Sequence, residues 1–131
     1  VNVMTAPIIP GLNDSEVPAI LTAAREAGAQ WAGYVLLKLP ATVKPVFLDW
    51  LQRTQPLKAE RVESLIRTTR GGKLSDSQFG RRQVGTGNLA ELIADTFRLW
   101  TTKLGYLAEH PTLNCDAFRP PQIKTGQRRL F

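Results

Sequence analysis

The stretch Val1-Asn2-Val3-Met4-Thr5-Ala6-Pro7-Ile8-Ile9-Pro10-Gly11-Leu12-Asn13-Asp14-Ser15-Glu16, with the run that follows it to Leu39, decides the fold. Apolar and β-branched residues at alternating places make residues 1–6 a strand. Two prolines and a glycine make residues 7–12 an ordered turn. Asn13, Asp14 or Ser15 then caps a helix. With Ser15 as the N-cap, Pro18 falls at N3, where its missing N–H costs no helical bond. Ala19, Ile20, Ala23, Ala24 and Ala27 form a small-residue stripe suited to lying close on a sheet. Gly28 stands where helices commonly end. Residues 30–39 read as a second strand, and Val35-Leu36-Leu37 is continuous enough to suggest cover on both faces. Strand, helix, strand is a βαβ unit, so the two strands are expected to be parallel with a right-handed crossover.

The remainder reads as helical. Thr42 to Arg53 places Val43, Val46, Phe47, Trp50 and Leu51 on one face, with Pro45 in the first turn. A helix from Leu57 to about Thr69 turns Val62, Leu65 and Ile66 inward and stops at Gly71-Gly72. Asn88 caps a last helix to about Lys103, with Leu89, Leu92, Ile93, Phe97 and Trp100 inward and Gly105 ending it. The fold class is therefore α/β. Residues 1–40 form the βαβ unit, residues 41–105 a helical region with a polar, glycine-rich, basic loop at 71–88, and residues 106–131 an irregular tail.

A length of 131 residues matches about one domain. The single cysteine, Cys115, excludes a disulfide framework, a zinc ribbon or a cysteine-ligated cluster built from this chain alone. The single histidine, His110, removes HExxH sites, and there is no GxSxG to serve a serine triad. No apolar run approaches the roughly 20 residues that span a bilayer, and no signal peptide opens the chain. No membrane partner is expected, and the cysteine content is compatible with a cytoplasmic location. Val1 leads directly into a strand with no initiator Met, which suggests processing or excision from something longer. Such a strand presents an unpaired edge and is a candidate dimer surface.

The formal net charge of +6 is unevenly placed. Arg53, Lys58, Arg61, Arg67, Arg70, Lys73, Arg81 and Arg82 against three acidic residues leave residues 53–82 at +5. This density suits phosphate, from nucleic acid or a cofactor; a solvated helix face and charged loop is the plainer account. Arg70-Gly71-Gly72-Lys73 with Arg81 and Arg82 is the candidate anion or substrate surface, because glycines admit backbone N–H groups and arginine offers a bidentate fork. Gly85-Thr86-Gly87-Asn88-Leu89-Ala90 matches GxGxxA, but no strand is expected before it, so a glycine-rich lead into a helix is the better reading. No paired carboxylates or other catalytic constellation stands out, and the aromatic residues suit a core. The turn at residues 7–14 closes a strand and opens a helix, the place where α/β folds bind ligands.

Val3 to Glu16 resembles the late-barrel segment of radical S-adenosylmethionine (radical SAM) enzymes, most closely the group related to spore photoproduct lyase, often labelled DNA repair photolyases. The resemblance continues through Ala27-Gly28-Ala29, Leu36-Leu37-Lys38-Leu39-Pro40, Arg70-Gly71-Gly72, Phe79-Gly80 and Gln127-Arg128-Arg129-Leu130-Phe131. It implies the last strands of a partial TIM-type barrel in a parent enzyme that holds a 4Fe-4S cluster on CxxxCxxC and cleaves S-adenosylmethionine reductively. One cysteine cannot form that motif, so neither cofactor is expected to be retained by this chain alone. Ile9, Gly11 and Asp14 match the Ile, Gly and Glu places of the family's GxIxGxxE motif, while Pro7 replaces its first glycine. The implied adenosine wall comprises Ile9, Pro10, Gly11, Asn13 and Asp14, with Leu37 and Leu39 from the second strand. The implied partner is the remaining N-terminal part of the same enzyme, and the chain alone is expected to be catalytically inactive. The alternative is an independent nucleic-acid-binding module using residues 53–82.

Overall fold

The computed structural model describes residues 1–75, 83–110, 112 and 114–119. Strand β1 (Asn2–Ile8) leads through a single 3-10 turn (Asp14–Glu16) into helix α1 (Val17–Glu26) and then strand β2 (Trp31–Leu36). Helices α2 (Val43–Thr54), α3 (Ala59–Thr68) and α4 (Asn88–Lys103) follow. The chain is α/β: β1 and β2 are parallel and joined by α1, with helices after them. Asn2 stands opposite Trp31 and Thr5 opposite Tyr34, and an irregularity then brings Ile8 opposite Leu36. The first strand therefore runs two residues further than its alternation suggests, through Pro7.

Two apolar cores share these elements. Ile8, Val17, Leu21, Leu36, Ile93 and Phe97 centre the first, which joins β1, β2, α1 and α4. Leu39, Leu51, Ala59, Val62, Ile66 and Leu74 form the second, around α2 and α3. Ile9, Leu12 and Leu37 pack on the second core, so the carboxyl ends of both strands lie on the seam between the two. The tail is tied into the first core at its start. Tyr106 is buried there and its hydroxyl donates to the Leu21 carbonyl at 2.6 Å. Leu107 N–H bonds to Gln30 O at 2.9 Å, and Gln30 N–H to Val1 O at 2.9 Å.

Several faces differ from their expected orientation. In α1, Val17 and Leu21 are buried, whereas Ala19, Ile20, Ala23 and Ala27 are exposed. Large side chains one turn apart bury more apolar area than a stripe of methyl groups, and they set the rotation of the helix. Of the α2 face only Leu51 is fully buried, and Val43, Val46 and Trp50 face solvent. Leu92 of α4 is also exposed, while Ala90, Ile93 and Phe97 carry the contact. The sheet is covered on its α1–α4 face, and Met4 of β1 on the other face is exposed, while every residue of β2 is buried or half-buried. The caps differ as well. Glu16 rather than Ser15 precedes α1, Pro18 lies in its first two positions, and Gly87 rather than Asn88 precedes α4, none with a side-chain cap bond.

Among the described residues no helix is long and apolar enough to cross a membrane.

Candidate functional site

Asn13 and Asp14 do not cap α1; they close the turn before it. The Asn13 carboxamide accepts from Ile9 N–H at 2.6 Å and donates to Pro7 O at 3.1 Å. Asp14 accepts from Gly11 N–H at 3.1 Å. Leu12 and Asn13 N–H both bond to Ile9 O, at 3.0 and 3.2 Å. Gly11 has φ +78°, and a Cβ there would lie 2.6 Å from Leu65 Cδ1, so helix α3 presses directly on the turn. Pro10 is fully buried. The turn is thus conformationally fixed before any ligand arrives.

The seven implied adenosine-wall residues meet at this seam with unequal access. Leu37 N–H bonds to Ile8 O at 2.9 Å, which sets the end of β2 beside the turn. Ile9 and Leu37 keep part of their apolar surface open, while Pro10 and Leu39 are core residues. Gly11 is filled in by Leu65, and one oxygen of each of Asn13 and Asp14 is engaged by backbone. Asp14 and Glu16 also place two carboxylates at the mouth of α1, where they offset the positive end of the helix dipole. This arrangement offers a rigid apolar edge and does not favour an anionic ligand.

The basic residues are less concentrated in space than in sequence. Arg70 is 4% exposed, and its guanidinium donates to Leu37 O at 2.9 Å and Leu36 O at 3.4 Å. It spans from the end of α3 to the end of β2 and satisfies carbonyls at the seam. Arg53 pairs with Asp49 and Arg67 with Glu63, each at 2.6 Å. Lys58, Arg61 and Lys73 are exposed without an ion pair among the described residues. Gly71 and Gly72 are exposed beside Lys73, whereas Arg81 and Arg82 lie outside the described residues. The sequence marks Arg70 by charge; its strut role depends on a contact 33 residues away and has no local signature.

The Gly85-Thr86-Gly87 segment has a packing explanation. A Cβ on Gly85 would lie 2.8 Å from Leu36 Cδ1 and 3.0 Å from Thr69 O, while Thr86 N–H bonds to Thr69 O at 3.0 Å. The glycine lets this segment pass between β2 and the end of α3. A cavity of about 260 Å³ beside it is lined by Tyr34, Thr86 and Glu91 among others. Burial raises the Tyr34 pKa above the ordinary tyrosine range, and the Asp95 carboxylate adds to the effect. His110 stacks edge-on against Trp31 with ring centroids 4.8 Å apart, and Cys115 is exposed. Among the described residues no three His, Cys, Asp or Glu side chains cluster as metal ligands. The fold and this seam define an α/β protein with a ligand-edge candidate at its strand ends. No protein-family model, curated protein or solved structure matches the chain.

Proposed function

We propose that this chain forms the adenosine-side wall of an S-adenosylmethionine pocket in a radical SAM enzyme of the group related to spore photoproduct lyase, and is not itself catalytic. The observation that supports this reading is the seam itself. Two parallel strands end beside a turn locked by Asn13 and Asp14, with Ile9 and Leu37 partly open next to each other. An apolar edge of that kind suits a nucleoside base, and the two carboxylates near α1 tolerate a ligand carrying positive charge better than a phosphate. Of the implied wall, Ile9 and Leu37 keep apolar surface for the adenosine part of the cofactor, while Pro10 and Leu39 support them from the core. The residues do not fit the 4Fe-4S cluster, since the chain has one cysteine and no ligand cluster among the described residues. In this reading the cluster is held by cysteines elsewhere in the parent enzyme, whose further barrel strands pair with β1. No backbone hydrogen bond from another segment reaches the outer edge of β1 among the described residues. A cytoplasmic location accompanies the proposal.

Titrating S-adenosylmethionine into the isotopically labelled chain, followed by amide shifts, tests the wall. The expected shifts centre on Ile9, Gly11 and Leu37, and Ile9→Asp weakens binding by about tenfold or more, a polar group having replaced the apolar edge. Shifts confined to other surfaces, or none at millimolar ligand, would overturn the assignment. Cluster absorbance or cofactor cleavage by this chain after reconstitution with iron and sulfide would contradict its inactive role.

Lys58, Arg61 and Lys73 support the second reading, a nucleic-acid surface on residues 53–82. It requires an affinity whose logarithm falls linearly with the logarithm of salt concentration. Salt-independent retention on DNA and RNA columns counts against it.

A further inference from the structure

Helix α4 carries a second apolar face that neither core uses. Leu92 is 61% exposed and Leu99 64% exposed, seven positions apart on one side of the helix, with Thr96 between them. A cavity of about 210 Å³ adjoins this stripe, walled by Val17, Pro18, Leu89, Leu92 and Ile93. A shallow hollow beside Asp95, Arg98, Leu99 and Thr102 continues it toward the end of the helix. Over 16 residues at about 1.5 Å each, the helix is about 24 Å long.

The charges along this face are arranged in order. Glu91 and Asp95 lie in the first half of α4, and Arg98 and Lys103 in the second. All four are exposed, and the Asp95–Arg98 pair at 2.7 Å is a surface contact that can be exchanged at little cost. A second α4 laid antiparallel about a two-fold axis near Thr96 brings Leu92 of one copy against Leu99 of the other, twice. The same placement sets Asp95 of one copy near Arg98 of the other on one flank of the interface, while Lys103 stays over the Trp100 ring, 4.5 Å from its centroid, and the two helix dipoles oppose each other. The stripe is therefore complementary to itself in both apolar spacing and charge.

We propose that α4 is a homodimer surface, its occupant being α4 of a second copy of this chain packed antiparallel. The axis passes by Thr96, and one leucine of each copy seats beside Leu92 and the cavity next to α1 of the other. This surface is separate from the outer edge of β1; Asp14 of the turn lines its cavity, but Leu92 and Leu99 do not belong to the adenosine wall, so association is read without S-adenosylmethionine.

Sedimentation equilibrium of the full chain across a concentration range up to about 1 mM, the weak end of measurable association, reads the assembly. A monomer–dimer equilibrium is expected. Leu92→Arg with Leu99→Arg should weaken it by about a hundredfold with an unchanged circular dichroism spectrum, because both side chains are exposed. Asp95→Arg alone should weaken it, and the exchange Asp95→Arg with Arg98→Asp should restore it, since the swapped pair is again complementary. A monomer throughout the range, a dimer indifferent to the leucine variants, or failure of the charge exchange to restore association would each overturn the proposal. A dimer built on the edge of β1 gives the second of these results.

Discussion

Gly11 and Thr5 show how single atoms set the energy of the β1 segment. At Gly11 the backbone is left-handed and the missing Cβ is the space that Leu65 Cδ1 occupies, 2.6 Å from where it would stand. Gly11→Ala therefore incurs both backbone strain and overpacking, a loss of about 2–4 kcal/mol in unfolding free energy measured by urea denaturation. Adding Leu65→Ala should recover part of that loss by vacating the contact, whereas strict additivity of the two variants would contradict this account. Thr5 predicts the opposite sign. Its hydroxyl is buried with no hydrogen-bond partner among the described residues, so a desolvation cost is being borne without return. Thr5→Val keeps the shape, removes that cost and should raise stability by about 1 kcal/mol in the same denaturation assay. An unchanged or lower midpoint would show that the hydroxyl is satisfied in solution.

At the scale of elements, Tyr106 fastens the chain after α4 to α1. Tyr106→Phe leaves the Leu21 carbonyl without its 2.6 Å donor and should cost about 1–2 kcal/mol, with faster amide exchange in α1 as the local readout. Neither Tyr106 nor Leu21 carries a pattern that links them, because the contact joins positions 85 apart. The elements themselves were far more legible. Period-2 alternation, helical spacing and glycine stops place every described helix and strand to within a few residues, and α4 falls at Asn88–Lys103 as its periodicity indicates. What the pattern could not resolve is which side of each helix faces inward. On α1 a stripe of alanines competes with Val17 and Leu21, and on α2 the apolar arc is wider than the surface available to cover it. The seam was legible as a stiff turn at a strand end. The use of Asn13 and Asp14 to hold that turn was not, since the same residues in the same order serve equally as caps.

Across the whole molecule, two tyrosines titrate in a way that couples stability to alkaline pH. Burial raises both Tyr34 and Tyr106 above the ordinary range, and Arg25 only partly offsets the effect at Tyr106. A phenol whose folded pKa is raised stays protonated in the native state after the unfolded chain has begun to ionise. Stability is then complete below the ordinary tyrosine range and declines as pH rises through it toward the folded values. Denaturation midpoints between about pH 8 and pH 11 should fall progressively over the upper part of that range, and less steeply in Tyr106→Phe. A flat profile would remove the coupling.

The ties at Val1, Gln30 and Leu107, together with the Arg25 side chain on Leu104 O 79 residues away, also order events in time. The unit β1–α1–β2 closes over a short span of chain, but its first core is completed only when α4 and Tyr106 arrive from far along the sequence. Closing that long loop is the entropically slow step. Refolding followed by pulsed hydrogen exchange should therefore protect α4 and the Leu107 amide, which donates to Gln30 O, in a single late phase, because the distant end of the fold acts as the latch on its beginning.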